Sequence, residues 1–122
     1  MRVLLAEDDS DVQQLLALVL TKAGMDVDVA DNGRDACRRA WESDTEGKPY
    51  DMILMDIKMP EMDGYQATTE LRDRGWHGPI VALTAHAMSG DEQKCHDVGC
   101  NDYISKPIDH MRLLTVIARN IQ

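Results

Sequence analysis

The residues best able to do chemistry in this chain are acidic, and they stand where short apolar runs stop. Val3-Leu4-Leu5-Ala6 ends in Glu7-Asp8-Asp9, Met52-Ile53-Leu54-Met55 in Asp56, Ile80-Val81-Ala82-Leu83 in Thr84, and Tyr103-Ile104 in Ser105-Lys106-Pro107. Carboxylates held about 5 Å apart repel by about 3 kcal/mol per pair at an effective dielectric of about 20, so a cluster of Glu7, Asp8 and Asp56 without a cation would be destabilising. A hard cation with oxygen ligands relieves that. Mg²⁺ suits a site with few carboxylates that keeps positions open for water and a phosphate oxygen, and Mn²⁺ could take its place. Beside such an ion Asp56 is placed to be a nucleophile, since carboxylates form aspartyl-phosphate intermediates. The transition state of phosphoryl transfer is largely dissociative, so the protein has mainly to position groups and neutralise charge. Lys106 offers a point charge and Thr84 a hydroxyl donor to the phosphate oxygens that the ion leaves uncovered.

For these residues to meet, the apolar runs must be neighbouring strands with their carboxyl ends together. The runs at 3–6, 52–55 and 80–83 show no polar alternation, as expected of central strands buried on both faces. Asp26-Val27-Asp28-Val29-Ala30 alternates strictly and reads as an edge strand, and Tyr103-Ile104 is a short last strand. Each run is followed by a helical pattern. Ser10 with Gln13 makes a plausible capping box, with Asp9 as the other candidate cap, before Val12, Leu15, Leu16, Val19, Leu20 and Ala23. Asn32-Gly33 opens a helix in which Ala36, Cys37, Ala40 and Trp41 share a face, and Asp63-Gly64 opens a third running through Leu71. A fourth helix, about Met88 to Val98, contains Gly90 and has a thin apolar stripe that predicts weak packing. Gly99 caps it, and Leu113, Leu114, Ile117, Ala118 and Ile121 line the last helix. Strand-helix alternation with weak strands outside and apolar strands inside predicts an α/β fold: a doubly wound, five-stranded parallel sheet of order 2-1-3-4-5 flanked by five helices, flavodoxin-like. In such sheets ligands bind outside the carboxyl ends of the strands, at the switch point between the first and third.

Composition narrows the function. Residues 1–122 fit a single domain, and no apolar run approaches a membrane span or a secretory leader. Thirteen basic against twenty-two acidic residues give a net charge of −9, which argues against direct contact with nucleic acid. Three cysteines without a CxxC fit free thiols in a reducing, cytoplasmic setting. Cys95-His96 with Cys100 could be half a zinc site, but a second ligand pair is missing, and buried structural thiols are the plainer reading.

Taken together, LLAEDD, MILMDIKMPEMDG, the LTA at Leu83 to Ala85 and the DYISKP at Asp102 to Pro107 resemble the receiver domain of bacterial-type response regulators, over essentially the whole chain. MPEMDGYQATTELR and ALTAHAM look more like receivers fused to hybrid sensor histidine kinases than like those of DNA-binding regulators. The resemblance implies that Asp56 is the phosphoacceptor and a Mg²⁺ ligand, with Asp8 a direct ligand, Glu7 acting through water and the Lys58 backbone carbonyl a third protein ligand. It implies that Lys106 contacts the phosphate through a cis bond before Pro107, that Thr84 and Tyr103 are the switch pair, and that Lys58 and His86 tune how long the phosphoryl group survives. The implied donor is a phosphohistidine of a histidine kinase or histidine phosphotransfer domain. The implied output is a protein bound to the face of the fourth helix, fifth strand and fifth helix. Such a domain catalyses its own phosphorylation and hydrolysis and is not a conventional turnover enzyme. Phosphatases of the haloacid-dehalogenase type also use a strand-end Asp but want a second one two residues on, where this chain has Lys58; no GxGxxG or GxxxxGK follows any strand.

Overall fold

Five strands alternate with five helices in the order β1 (Arg2–Ala6), α1 (Ser10–Lys22), β2 (Asp26–Ala30), α2 (Gly33–Thr45), β3 (Met52–Asp56), α3 (Gly64–Asp73), β4 (Ile80–Thr84), α4 (Glu92–Val98), β5 (Asp102–Ser105) and α5 (His110–Asn120). The computed structural model describes residues 1–85, 90 and 92–121. All strand pairings are parallel, in the order β2-β1-β3-β4-β5. The sequence predicts this sheet and its five helices correctly.

Period-two geometry divides each central strand between two cores. Leu4, Ala6, Ile53, Met55, Ile80 and Ala82 face the buried residues of α2, α3 and α4, among them Ala36, Ala40, Ala67, Leu71 and Cys95. Val3, Leu5, Met52, Leu54, Val81 and Leu83 face Leu16 and Leu20 of α1 and Leu113, Val116 and Ile117 of α5. Strands apolar at every position are therefore buried at every position. At the β2 edge Val27 and Val29 pack inward, while Asp28 accepts the Tyr50 hydroxyl at 2.6 Å and faces Arg2 at 3.4 Å.

Several helical expectations are corrected. The N-cap of α1 is Asp9, whose carboxylate accepts the N–H groups of Asp11 and Val12 at 2.9 and 3.2 Å, so Ser10 and Gln13 form no capping box. Gln13 turns its amide elsewhere, to the Glu7 carbonyl and to Asp31 Oδ1 at 2.8 Å. Leu15 is half exposed, Trp41 lies outside the α2 core face with the Arg74 guanidinium 5.8 Å from its ring, and Ile121 stands beyond α5 and is exposed. Val116 takes the inward place on α5, while Ala118 is exposed. Of the fourth helix, the described α-helical part is Glu92–Val98; Gly90 is also helical, at φ +83, and Met88 falls outside the described residues. Its one buried residue is Cys95, in keeping with the thin stripe.

Candidate functional site

Parallel pairing in register delivers the chemical residues to one end of the sheet. Ala6 pairs with Met55, Asp56 with Leu83 and Thr84 with Ser105, so Glu7, Asp56, Thr84 and Lys106 follow one another across three strand junctions. Ligand atoms of Glu7, Asp8 and Asp56 lie within 4.8 Å of one another. Among the described residues this is the one group with metal-ligand spacing, and Cys95, His96 and Cys100 do not form another. Glu7 and Asp56 are buried, Asp8 is exposed, and Thr84 is buried beside them.

Lys106 binds this cluster together. Its Nζ donates to Asp56 Oδ2 at 3.0 Å and to Glu7 Oε1 at 3.2 Å. The lysine's own placement is local: its backbone N–H donates to the Thr84 carbonyl at 2.7 Å, and the Lys106–Pro107 bond is cis. One ammonium does not balance two buried carboxylates. Burial, then a hydrogen bond with Asp56, raise the Glu7 carboxyl to about 7, while the Asp9 N–H and the Lys106 charge pull the other way. Burial works to lower Lys106, yet its bonds and charge contacts with Asp56 and Glu7 outweigh that and leave it above its ordinary value. Burial above all thus makes this site bind the Glu7 proton more tightly than an exposed carboxyl would. Three oxygen donors, two of them desolvated, beside an open side make a group that could hold a hard cation.

That open side is a cavity of about 660 Å³ lined by Asp8, Asp56, Lys58, Thr84 and Lys106 with part of the loop from Met59 to Asp63. The loop is tied down close to the acid. Lys58 N–H donates to Asp56 Oδ1 at 3.3 Å and Gly64 N–H to the Ile57 carbonyl at 2.9 Å. A side chain at Gly64 would put its Cβ 2.3 Å from the Asp56 carbonyl oxygen, so only glycine lets the start of α3 approach the end of β3 this closely. Asp63 and Gln66 form the capping box of α3, at 2.8 and 3.0 Å. Tyr103 stands one strand away with its phenol turned to α4, where the charge and hydrogen bond of Glu92 push it above its usual range. His86 falls outside the described residues.

Two contributors escape a reading of strand ends. Gln13 fixes the Glu7 carbonyl from inside α1, and Gly64 sets the depth of the Asp56 loop. The MDG of Met62 to Gly64 carried the only visible signal, for the glycine.

Comparison with known proteins agrees with the geometry. The response regulator receiver domain family matches residues 3–118. The chain is 43% identical to hybrid signal transduction histidine kinase I of Dictyostelium discoideum over 98% of its own length and 7% of that protein's. It is 38% identical to histidine kinase 1 of Arabidopsis thaliana (95% and 12%) and 35% identical to the signal transduction histidine-protein kinase BarA of Escherichia coli K12 (98% and 13%). The chain therefore spans only a small part of these relatives. Among solved structures, the receiver domain of the sensor histidine kinase PA1611 from Pseudomonas aeruginosa, with a magnesium ion coordinated in its active-site cleft, matches at TM-score 0.86 and 38% identity over 98% of this chain and 96% of that one. The Vibrio cholerae chemotaxis protein CheY4 matches at TM-score 0.88 and 27% identity over 98% and 97%.

Proposed function

Because the chain belongs to the response regulator receiver domain family, whose members are phosphorylatable signalling modules of two-component systems, we propose that Asp56 takes a phosphoryl group from a partner's phosphohistidine. Its carboxylate oxygen attacks phosphorus as the P–N bond to the imidazole breaks. The observation that carries this reading is the Lys106 ammonium held 3.0 Å from Asp56 and 3.2 Å from Glu7 over an open cavity.

Glu7, Asp8, Asp56 and the Lys58 backbone carbonyl would hold Mg²⁺, for which Mn²⁺ could substitute; the magnesium coordinated in the active-site cleft of the PA1611 receiver supports a cation in this cleft, and the spacing of the three carboxylates supports them as its ligands. The ion supplies positive charge to the phosphoryl oxygens. Lys106 pivots from the carboxylates to a phosphoryl oxygen, and the Thr84 hydroxyl donates to another. Drawn toward the phosphate, Thr84 leaves room for Tyr103 to turn inward from Glu92, and the surface of α4, β5 and α5 changes for a protein partner. The weakly packed α4 suits an element with two arrangements of similar free energy. Residues 1–122 act as one receiver unit in the cytoplasm, and Lys58 and His86 set the rate at which the aspartyl phosphate is hydrolysed.

Acetyl phosphate or phosphoramidate with Mg²⁺, read on a phosphate-affinity gel, tests the reading. One phosphoryl group per chain is expected, absent with EDTA and absent from Asp56→Asn. Labelling of Asp56→Asn, or repeated turnover of a simple phosphate ester by the native chain, would overturn it.

A further inference from the structure

Cys37, Cys95 and Cys100 are all buried free thiols, but their surroundings have opposite electrostatic character. Cys37, on α2, donates to the Ala67 carbonyl at 3.5 Å, and burial with the neighbouring Glu70 carboxylate pushes its thiol up to about 12. Cys100 is built the other way. A hydrogen bond from Cys95 stabilises its thiolate, and despite the opposing effect of burial, Thr68 and the Arg72 charge add to it, so the thiol falls below its ordinary value. Thr68 Oγ1 stands 3.9 Å from the Cys100 sulfur. Arg72 is fixed beside it by four hydrogen bonds, to the carbonyls of Gly99, Trp76 and Gly78 and to Asn101 Oδ1, at 2.7–3.0 Å.

The backbone brings the two thiols together. At the end of α4 the Cys100 N–H donates to the Cys95 carbonyl at 2.9 Å and the Gly99 N–H to His96 at 3.1 Å, with Gly99 at φ +111. This is the Schellman ending, in which the residue after the glycine turns its side chain back onto the last full turn. Both cysteines line a cavity of about 760 Å³ between α4 and β5, together with Glu92, His96 and Tyr103, which gives a small oxidant a route to them.

We propose that Cys100 and Cys95 form a peroxide-responsive dithiol that closes to an intramolecular disulfide across the end of α4. The Cys100 thiolate attacks one oxygen of hydrogen peroxide; the O–O bond breaks, hydroxide leaves, and the sulfur becomes a sulfenic acid, oxidised by two electrons as the peroxide is reduced. The Cys95 sulfur then attacks Cys100, the S–S bond forms, and the sulfenic hydroxyl departs as water with the Cys95 proton. Two thiols and one peroxide give one disulfide and two waters. The bond ties the last turn of α4 to the entry of β5, beside the cavity that Tyr103 also lines, so oxidation is written on the face that the proposed function assigns to a protein partner.

The reduced chain is titrated with hydrogen peroxide, alkylated with iodoacetamide, digested with trypsin without reductant and weighed. The peptide beginning at Cys95, which holds both residues, is expected to lose two hydrogens (about 2 Da), to escape alkylation and to regain both thiols with dithiothreitol, while Cys37 stays alkylatable. In Cys95→Ser, dimedone is expected to capture a sulfenic acid at Cys100; in Cys100→Ser, Cys95 is expected to oxidise at least about tenfold more slowly. Absence of the mass loss in the native chain, oxidation of Cys37 ahead of the pair, or equal dimedone capture in both variants would overturn the proposal.

Discussion

Lys106, just past β5, and Asp56, at the end of β3, stand 50 residues apart in sequence and form an ion pair at 3.0 Å, inside a site where Glu7 competes for the same ammonium at 3.2 Å. The lysine is therefore held between two acids rather than committed to one. Replacing it with methionine should slow labelling of Asp56 by acetyl phosphate by about 100-fold, as expected for the loss of one preorganised donor to a transferring group. Mg²⁺ binding, followed by calorimetry, should persist or tighten, because the ammonium no longer competes for the carboxylates. Loss of metal binding would mean that Lys106 organises the site rather than serving the phosphoryl group.

Glu7 gives the protein a pH dependence of known sign. Its carboxyl is raised from 4.5 to about 7 in the folded chain, so the metal-free fold binds that proton more tightly than the unfolded chain does. The resulting stability is complete below pH 4.5 and is lost as pH rises through about 7; a shift of this size corresponds to about 3 kcal/mol. Thermal melts in EDTA should fall between about pH 5 and pH 8. Because Mg²⁺ displaces the same proton, its stabilising increment should grow over that interval. An increment equal at both ends would remove the shared-proton account.

Gly64→Ala should cost about 3 kcal/mol, since its Cβ meets the Asp56 carbonyl oxygen at 2.3 Å and backbone cannot yield as a side chain can. Urea unfolding would measure the loss, and the surviving folded protein should also label slowly because the Asp56 loop has shifted. Unchanged stability would show that the α3 start moves freely relative to β3.

Asp9→Ala should cost about 1 kcal/mol through loss of the α1 cap, whereas Ser10→Ala should cost almost nothing. Paired denaturation curves decide the point, and the reverse ranking would restore Ser10 as the cap.

Lys58 is exposed at the mouth of the cavity with its backbone tied to Asp56. Lys58→Ala should change the half-life of the aspartyl phosphate several-fold while leaving the melting temperature within about one degree, because surface changes of this kind barely alter stability. Dephosphorylation followed after removal of the donor provides the measurement; an unaltered half-life would exclude a tuning role for this side chain.

The sheet was readable because burial on both faces leaves no freedom: Val3 to Ala6, Met52 to Met55 and Ile80 to Leu83 had to be apolar at every position, and each is. The meeting of Glu7, Asp8, Asp56, Thr84 and Lys106 was readable because parallel strands in one sheet bring their carboxyl ends to the same side. What stayed hidden depended on direction. Leu15, Trp41 and Ile121 satisfy a helical period yet point outward or stand past the helix, because small domains leave apolar side chains on their surface and periodicity cannot tell which. Asp9 displaced Ser10 because one carboxylate reaches two N–H groups, and Gln13 was freed to hold Glu7 and Asp31. The raised affinity of Glu7 for its proton arises from burial and from contacts between distant segments, which no local pattern encodes.

The contact between Lys106 and Glu7 joins positions 99 residues apart in the chain. During synthesis the first acid leaves the ribosome long before its cationic partner, so the contact between them cannot form until the final strand is available to dock. Under the proposed function, a truncated translation product ending before Lys106 would carry Asp56 without the ammonium that pairs with it.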